Sequence, residues 1–90
     1  MKLSILVLNR SWNLVAEWED DPQDFLQVRL GKSAVIRRWG TTKGLGELAQ
    51  EGPKSETILD EEPPDSTIRK GQIIRVIPCN QKAWAKWMSE

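Results

Sequence analysis

The stretch Leu3-Ser4-Ile5-Leu6-Val7-Leu8 constrains the fold most, because it is apolar at both odd and even positions. Successive side chains of a strand point to opposite faces. The segment is therefore a central strand, or one covered on both faces. It stops at Asn9-Arg10, too short for a membrane span, and no small-residue cleavage site follows. It is read as a strand of a soluble protein.

Asn9-Arg10-Ser11 reads as a turn and Trp12 to Trp18 as the returning strand of an antiparallel hairpin. Alternation puts Trp12, Leu14, Ala16 and Trp18 on one face and Asn13, Val15 and Glu17 on the other. Phe25 to Leu30 alternates as a third strand, Gly31-Lys32 reads as a tight turn, and Ser33 to Trp39 as a fourth strand. In that strand Val35, Arg37 and Trp39 share one face, and Ala34, Ile36 and Arg38 the other. A bulge at Trp39-Gly40 would change this.

Leu45, Leu48 and Ala49 have helical spacing, and Gly52-Pro53 closes that helix. Thr57-Ile58-Leu59 reads as a short strand, residues 60–66 as a solvated loop, and Ile73 to Pro78 as the last strand. Asn80 is placed to cap a helix over Gln81 to Met88, whose apolar stripe is Trp84, Trp87 and Met88. The expected fold is one α+β domain over residues 1–90. It has a curled, mainly antiparallel sheet of five or six strands, a short helix after the fourth strand, and a C-terminal amphipathic helix. Ninety residues bury only about 60–65% of their unfolded surface. The doubly apolar first strand and the Trp stripe therefore point to a homo-oligomer, dimer or larger.

Thirteen basic and thirteen acidic residues cancel, unlike the basic excess of a general nucleic-acid binder. The charges are segregated, however. Between Phe25 and Gly46 every charge is positive: Arg29, Lys32, Arg37, Arg38 and Lys43. The chain has no His and one Cys, Cys79. That leaves no common general base, no thiol–imidazole pair and no zinc ligand set. It also suits a cytoplasmic location. The reading is of a protein that is not an enzyme and needs no metal or cofactor.

The basic block coincides with Arg37-Arg38-Trp39-Gly40-Thr41-Thr42-Lys43-Gly44-Leu45-Gly46, which holds the parts of an anion site. Glycines let backbone N–H groups approach a phosphate, and a helix start adds unpaired N–H groups. Thr41 and Thr42 add hydroxyl donors. An arginine makes forked charge-assisted bonds to phosphate, and Trp39 offers a face for a base. Arg37, on the face of Trp39, is the expected phosphate ligand, and Arg38 is expected to pair with an acidic residue or a subunit neighbour. Arg10 and Trp12 repeat the Arg-plus-Trp pairing at a strand edge. The candidate ligand-binding residues are Arg37, Arg38, Trp39, Gly40, Thr41, Thr42, Lys43, Gly44, Gly46, Arg10 and Trp12. A purely structural reading stands beside this one: paired arginines, a core Trp39, and glycines that only shape a turn.

Val35-Ile36-Arg37-Arg38-Trp39-Gly40-Thr41-Thr42-Lys43-Gly44-Leu45-Gly46-Glu47-Leu48-Ala49 resembles the motif of a family of small proteins from phages and prophages. Val7 to Trp12, Gly52-Pro53, Thr57 to Asp60 and Val76 to Asn80 with Trp84-Ala85-Lys86 carry the likeness over most of the chain. The family has no established activity. By analogy with small phage proteins that sequester host nucleotide signals, the resemblance implies a counter-defence sponge in the host cytoplasm. The expected function is non-catalytic binding of a phosphate-bearing small ligand, a nucleotide or cyclic nucleotide. Two alternatives are a protein-interaction module that inhibits a host enzyme and a single-stranded nucleic-acid binder.

Overall fold

The computed structural model describes all of residues 1–90. Six antiparallel strands form one sheet: β1 (Lys2–Leu8), β2 (Asn13–Asp20), β3 (Gln27–Arg38), β4 (Ile58–Glu61), β5 (Thr67–Arg69) and β6 (Ile73–Pro78). Two short helices accompany it, α1 (Leu45–Glu51) and α2 (Ala85–Ser89). The strand order is β4-β3-β2-β1-β6, with β5 also on β3. No helix is long and apolar enough to cross a membrane.

Connectivity forces the sheet to curl. Four strand spacings of about 4.8 Å would put β5 about 19 Å from β6 in a flat sheet, even with no offset along the strands. Arg69 and Ile73, the facing ends of these strands, are four residues apart, a reach of about 14 Å. The edges therefore bend toward each other without closing into a barrel. Asn9 Nδ2, in the β1–β2 turn, donates to Gln72 Oε1 at 3.2 Å across the approach.

Both faces of β1 are buried, as its double apolar pattern requires. Leu3 and Ile5 join Val15, Ala34, Ile36 and Ile77 under the helices, with Leu48, Ala49, Trp84 and Trp87. Leu6 packs on the concave face with Leu14, Ala16, Val28 and Leu30. The strand alternation is thus correct through Ile36. The apolar area assigned above to a second copy is absorbed within one chain, since Trp84 is fully buried and Trp87 nearly so.

The helical side is also satisfied in hydrogen bonds. Trp84 Nε1 donates to the Ala49 carbonyl at 3.1 Å, and Trp87 Nε1 to Glu61 Oε1 at 2.8 Å. The two rings meet edge-to-face at 5.6 Å. Lys32 Nζ lies over the Trp87 ring and donates to the Trp87 and Glu90 carbonyls at the end of α2. A cation there complements the unpaired carbonyls of a helix C-terminus. Gly52 closes α1 as expected, at φ +81° with its N–H on Leu48 O. A Cβ on Gly52 would sit 2.3 Å from the Ala83 carbonyl oxygen.

Four local expectations are corrected. Gly31-Lys32 is not a turn: it lies inside the twelve-residue β3, and Phe25 and Leu26 precede that strand, exposed. Pairing shifts there from Trp18↔Leu30 to Ala16↔Ser33, a bulge on β3. Glu17 Oε1 accepts the Lys32 N–H at 3.2 Å and so holds the bulge. A second bulge falls at Arg37, between the pairs Ile36↔Leu59 and Arg38↔Ile58, and Trp39 lies outside the strand. The Thr67–Arg69 strand was not expected at all. Finally, α2 begins at Ala85, not Gln81: Asn80 Oδ1 accepts the N–H groups of Lys82 and Ala83 and caps a turn ahead of the helix.

Candidate functional site

The expected site residues gather at one end of the sheet. The pair Leu14↔Val35 brings the β1–β2 turn to the end where β3 runs out. Arg10 and Trp12 in that turn therefore lie at the same end as Arg37, Arg38 and Trp39 and the loop that follows. Arg10 and Ser11 are both at φ +65°, and Leu8 N–H bonds Trp12 O at 2.7 Å, which makes the turn tight. Trp12 remains 58% exposed and Trp39 44% exposed.

Trp39 is fixed by its backbone rather than by burial. Its carbonyl accepts the Thr57 hydroxyl at 2.6 Å. Gly40 follows at φ +71°, packed so tightly that a Cβ would sit 2.3 Å from Thr57 N. Only glycine meets both demands. The ring lies against Gly44, where a Cβ would be 3.3 Å from Cζ3. The outcome is an exposed indole with a supported position.

The loop between Trp39 and α1 has used its hydroxyls. Thr41 Oγ1 donates to Gly44 O at 2.7 Å, and Thr42 Oγ1 to Glu47 Oε1 at 3.0 Å. As donors to an anion they would first have to leave these partners. Gly44, at φ +79°, has a structural reason to be glycine. Gly46 has none of that kind: it sits inside α1 with open space beside it.

The arginines differ, though not as strand parity suggested. Arg37 Nε and Arg37 NH2 grip Asp60 Oδ2 and Oδ1 at 3.0 and 3.2 Å. Arg38 reaches Glu56 only at 3.8 Å. Arg37, expected to be free for a phosphate, therefore has the closer, forked partner. The bulge at Arg37 is the local reason that simple alternation fails there. Both pairs are well exposed, so each holds its arginine only weakly. Arg10 and Lys43 make no ion pair.

None of the clefts in the molecule is lined by residues 37–46. The Arg/Trp end is an open rim, not an enclosed pocket. Thr57, Asp60 and Glu56 complete it. Sequence reading assigned none of them to the site, because they act from 18 to 23 positions away, Thr57 on Trp39, Glu56 on Arg38 and Asp60 on Arg37.

No curated protein and no solved structure matches the chain significantly. One family profile does match, over residues 19–87, and so takes in β3, the glycine loop, α1, the strands after it and the start of α2. The chain belongs to the family described as Domain of unknown function (DUF6948).

Proposed function

We propose that the chain is a non-catalytic binding protein for a phosphate-bearing ligand of the nucleotide class, taken on the Arg/Trp rim. The observation that carries this reading is the supported but exposed indole of Trp39, with Trp12, Arg10, Arg37 and Arg38 at the same end of the sheet. Exposed indoles on a fixed backbone offer stacking faces, and base–aromatic stacking contributes about 1–3 kcal/mol per base. Arg10 is the readiest phosphate partner, since it has no competing carboxylate. Arg38 follows, because exchanging its long contact with Glu56 costs little. In the phage setting implied by the sequence resemblance, this is a sponge that holds a cyclic nucleotide. Its copies would pair along β6, an edge strand with Ile74 63% exposed and Val76 40% exposed.

The openness of the rim favours a second reading, single-stranded nucleic acid, because two indoles on an open surface can take successive bases. Calorimetric titration with mono-, di- and cyclic nucleotides and with oligonucleotides of increasing length separates the two. Saturable binding of a single nucleotide, insensitive to strand length, supports the first. Affinity that climbs with length and falls steeply with salt supports the second. Failure of every phosphate compound to bind rejects both.

A further inference from the structure

We infer that the rim prefers a nucleotide whose phosphate is a diester with a single negative charge, and that Asp60 and Glu56 set this preference. It belongs to the same site and rests on the nucleotide reading above. Around Trp39 every cation is matched by a carboxylate. Asp60 holds Arg37 through both oxygens, at 3.0 and 3.2 Å, and Glu56 stands 3.8 Å from Arg38. Glu47 reaches the loop that carries Lys43 and accepts the Thr42 hydroxyl at 3.0 Å. Three cations thus face three carboxylates, and Arg10, from the β1–β2 turn, adds the one charge with no ion pair. Arg75, the next cation, lies on β6, three strands along from β3, or about 14 Å. Salt at about 0.1 M screens an exposed charge over that distance. The chain as a whole is neutral, so no wider field favours a polyanion.

This balance decides the charge of the ligand. A first negative charge neutralises the rim. A second gains no net attraction, and to reach Arg37 or Arg38 it must approach Asp60 or Glu56. Like charges about 4 Å apart in water repel by an amount worth about fivefold in affinity. Both carboxylates are exposed at the edge of the rim, so they meet an incoming ligand before the arginines are free of them. A cyclic or otherwise esterified phosphate carries one charge and avoids this repulsion. Its base stacks on Trp39 with no charge at stake. The same balance disfavours a strand, which adds a charge with every nucleotide.

The test is calorimetric titration of the full chain at low salt, without magnesium, with 3′,5′-cyclic AMP, AMP and ATP and with the three guanosine counterparts. At about pH 7 the charge within each series rises from one on the diester to nearly two on the monoester and more on the triphosphate, while the base stays the same. Affinity should stay level or fall along the series that binds. In the double variant Asp60→Asn, Glu56→Gln, the affinity for the triphosphate relative to the cyclic nucleotide should rise about five- to twentyfold. Asp65→Asn makes the same kind of charge change next to Ser66, whose carbonyl accepts the Leu30 N–H. That is eight residues before Arg38, about 26 Å along β3, and this variant should leave the ratio unchanged. Affinity that climbs from the cyclic nucleotide to the triphosphate in the unmutated chain overturns the preference and leaves nucleotide binding in place. A ratio unchanged in the double variant, or raised as much in Asp65→Asn, overturns the role of Asp60 and Glu56. Binding in neither series overturns the nucleotide reading, and this preference with it.

Discussion

Two pairs of tryptophans divide the molecule. Trp84 and Trp87 sit under the helices, buried, edge-to-face, each with its ring N–H bonded. Trp12 and Trp39 stand at the open end of the sheet, about half exposed, with arginines beside them. A ninety-residue chain has little core to spare, and an indole is among the largest apolar groups it can bury. The first pair contributes to stability. The second holds that area in water, with the Trp39 backbone fixed by Thr57 and Gly40, and it is this pair that the proposed function assigns to the ligand.

The comparison breaks most visibly at Trp84. Trp84→Ala leaves a large cavity and removes one of the two hydrogen bonds to the Ala49 carbonyl, which keeps the Asn80 N–H, so it should cost about 3–5 kcal/mol. A domain of this length has about 5–13 kcal/mol in total. In urea melts the variant should lose about a quarter of its stability or more, and a loss below about 1 kcal/mol would contradict the assignment of Trp84 as the centre of the core.

Next in size is the support of the rim. Gly40→Ala places a Cβ against the Thr57 backbone at a positive φ, and a cost of about 1–3 kcal/mol is expected. Gly46→Ala, in the open helical position, should instead raise stability by about 0.5–1 kcal/mol. The two melts sharpen the contrast between a glycine that positions Trp39 and one that does not. Equal effects would mean the loop tolerates rearrangement.

A smaller effect tests how dry the helical side is. Cys79 packs against the helix-side cluster. Burial pushes its thiol up from 9.0 to about 12, with a partly offsetting backbone hydrogen bond from Ile5. The raised value means the folded state keeps a proton that the unfolded state releases. Stability from this source is intact below about pH 9 and falls as pH rises toward 12. Thermal midpoints of the unmutated chain and of Cys79→Ala should run parallel below pH 9 and diverge above it, with the unmutated chain falling faster. Parallel curves throughout would place the thiol in contact with water.

Much of this architecture was legible from alternation and punctuation. The double apolar pattern of Leu3 to Leu8 required cover on both faces, and Gly52-Pro53 marked the end of α1. The departures share one cause. Gly31-Lys32 carries turn chemistry, yet it became a bulge because Glu17, 15 positions before Lys32, accepts the Lys32 N–H. The partner of Arg37 depends on β4 lying beside β3. Thr67–Arg69 has one apolar residue, and only its pairing with Gln27–Arg29 makes it a strand. Each is decided by a long-range contact that no local pattern records. The rim residues were legible as residue types. Their convergence was not, since it follows from the Leu14↔Val35 register.

The most direct test of the central claim compares Trp39→Ala and Trp12→Ala with the unmutated chain, by calorimetric titration of whichever nucleotide binds best and by urea melts on the same samples. The account predicts that each substitution weakens binding about five- to hundredfold, the worth of one stacked base, while stability changes by less than about 1 kcal/mol. Affinity unchanged in both variants, with stability lost as in Trp84→Ala, would contradict it and make Trp12 and Trp39 part of the core like Trp84 and Trp87.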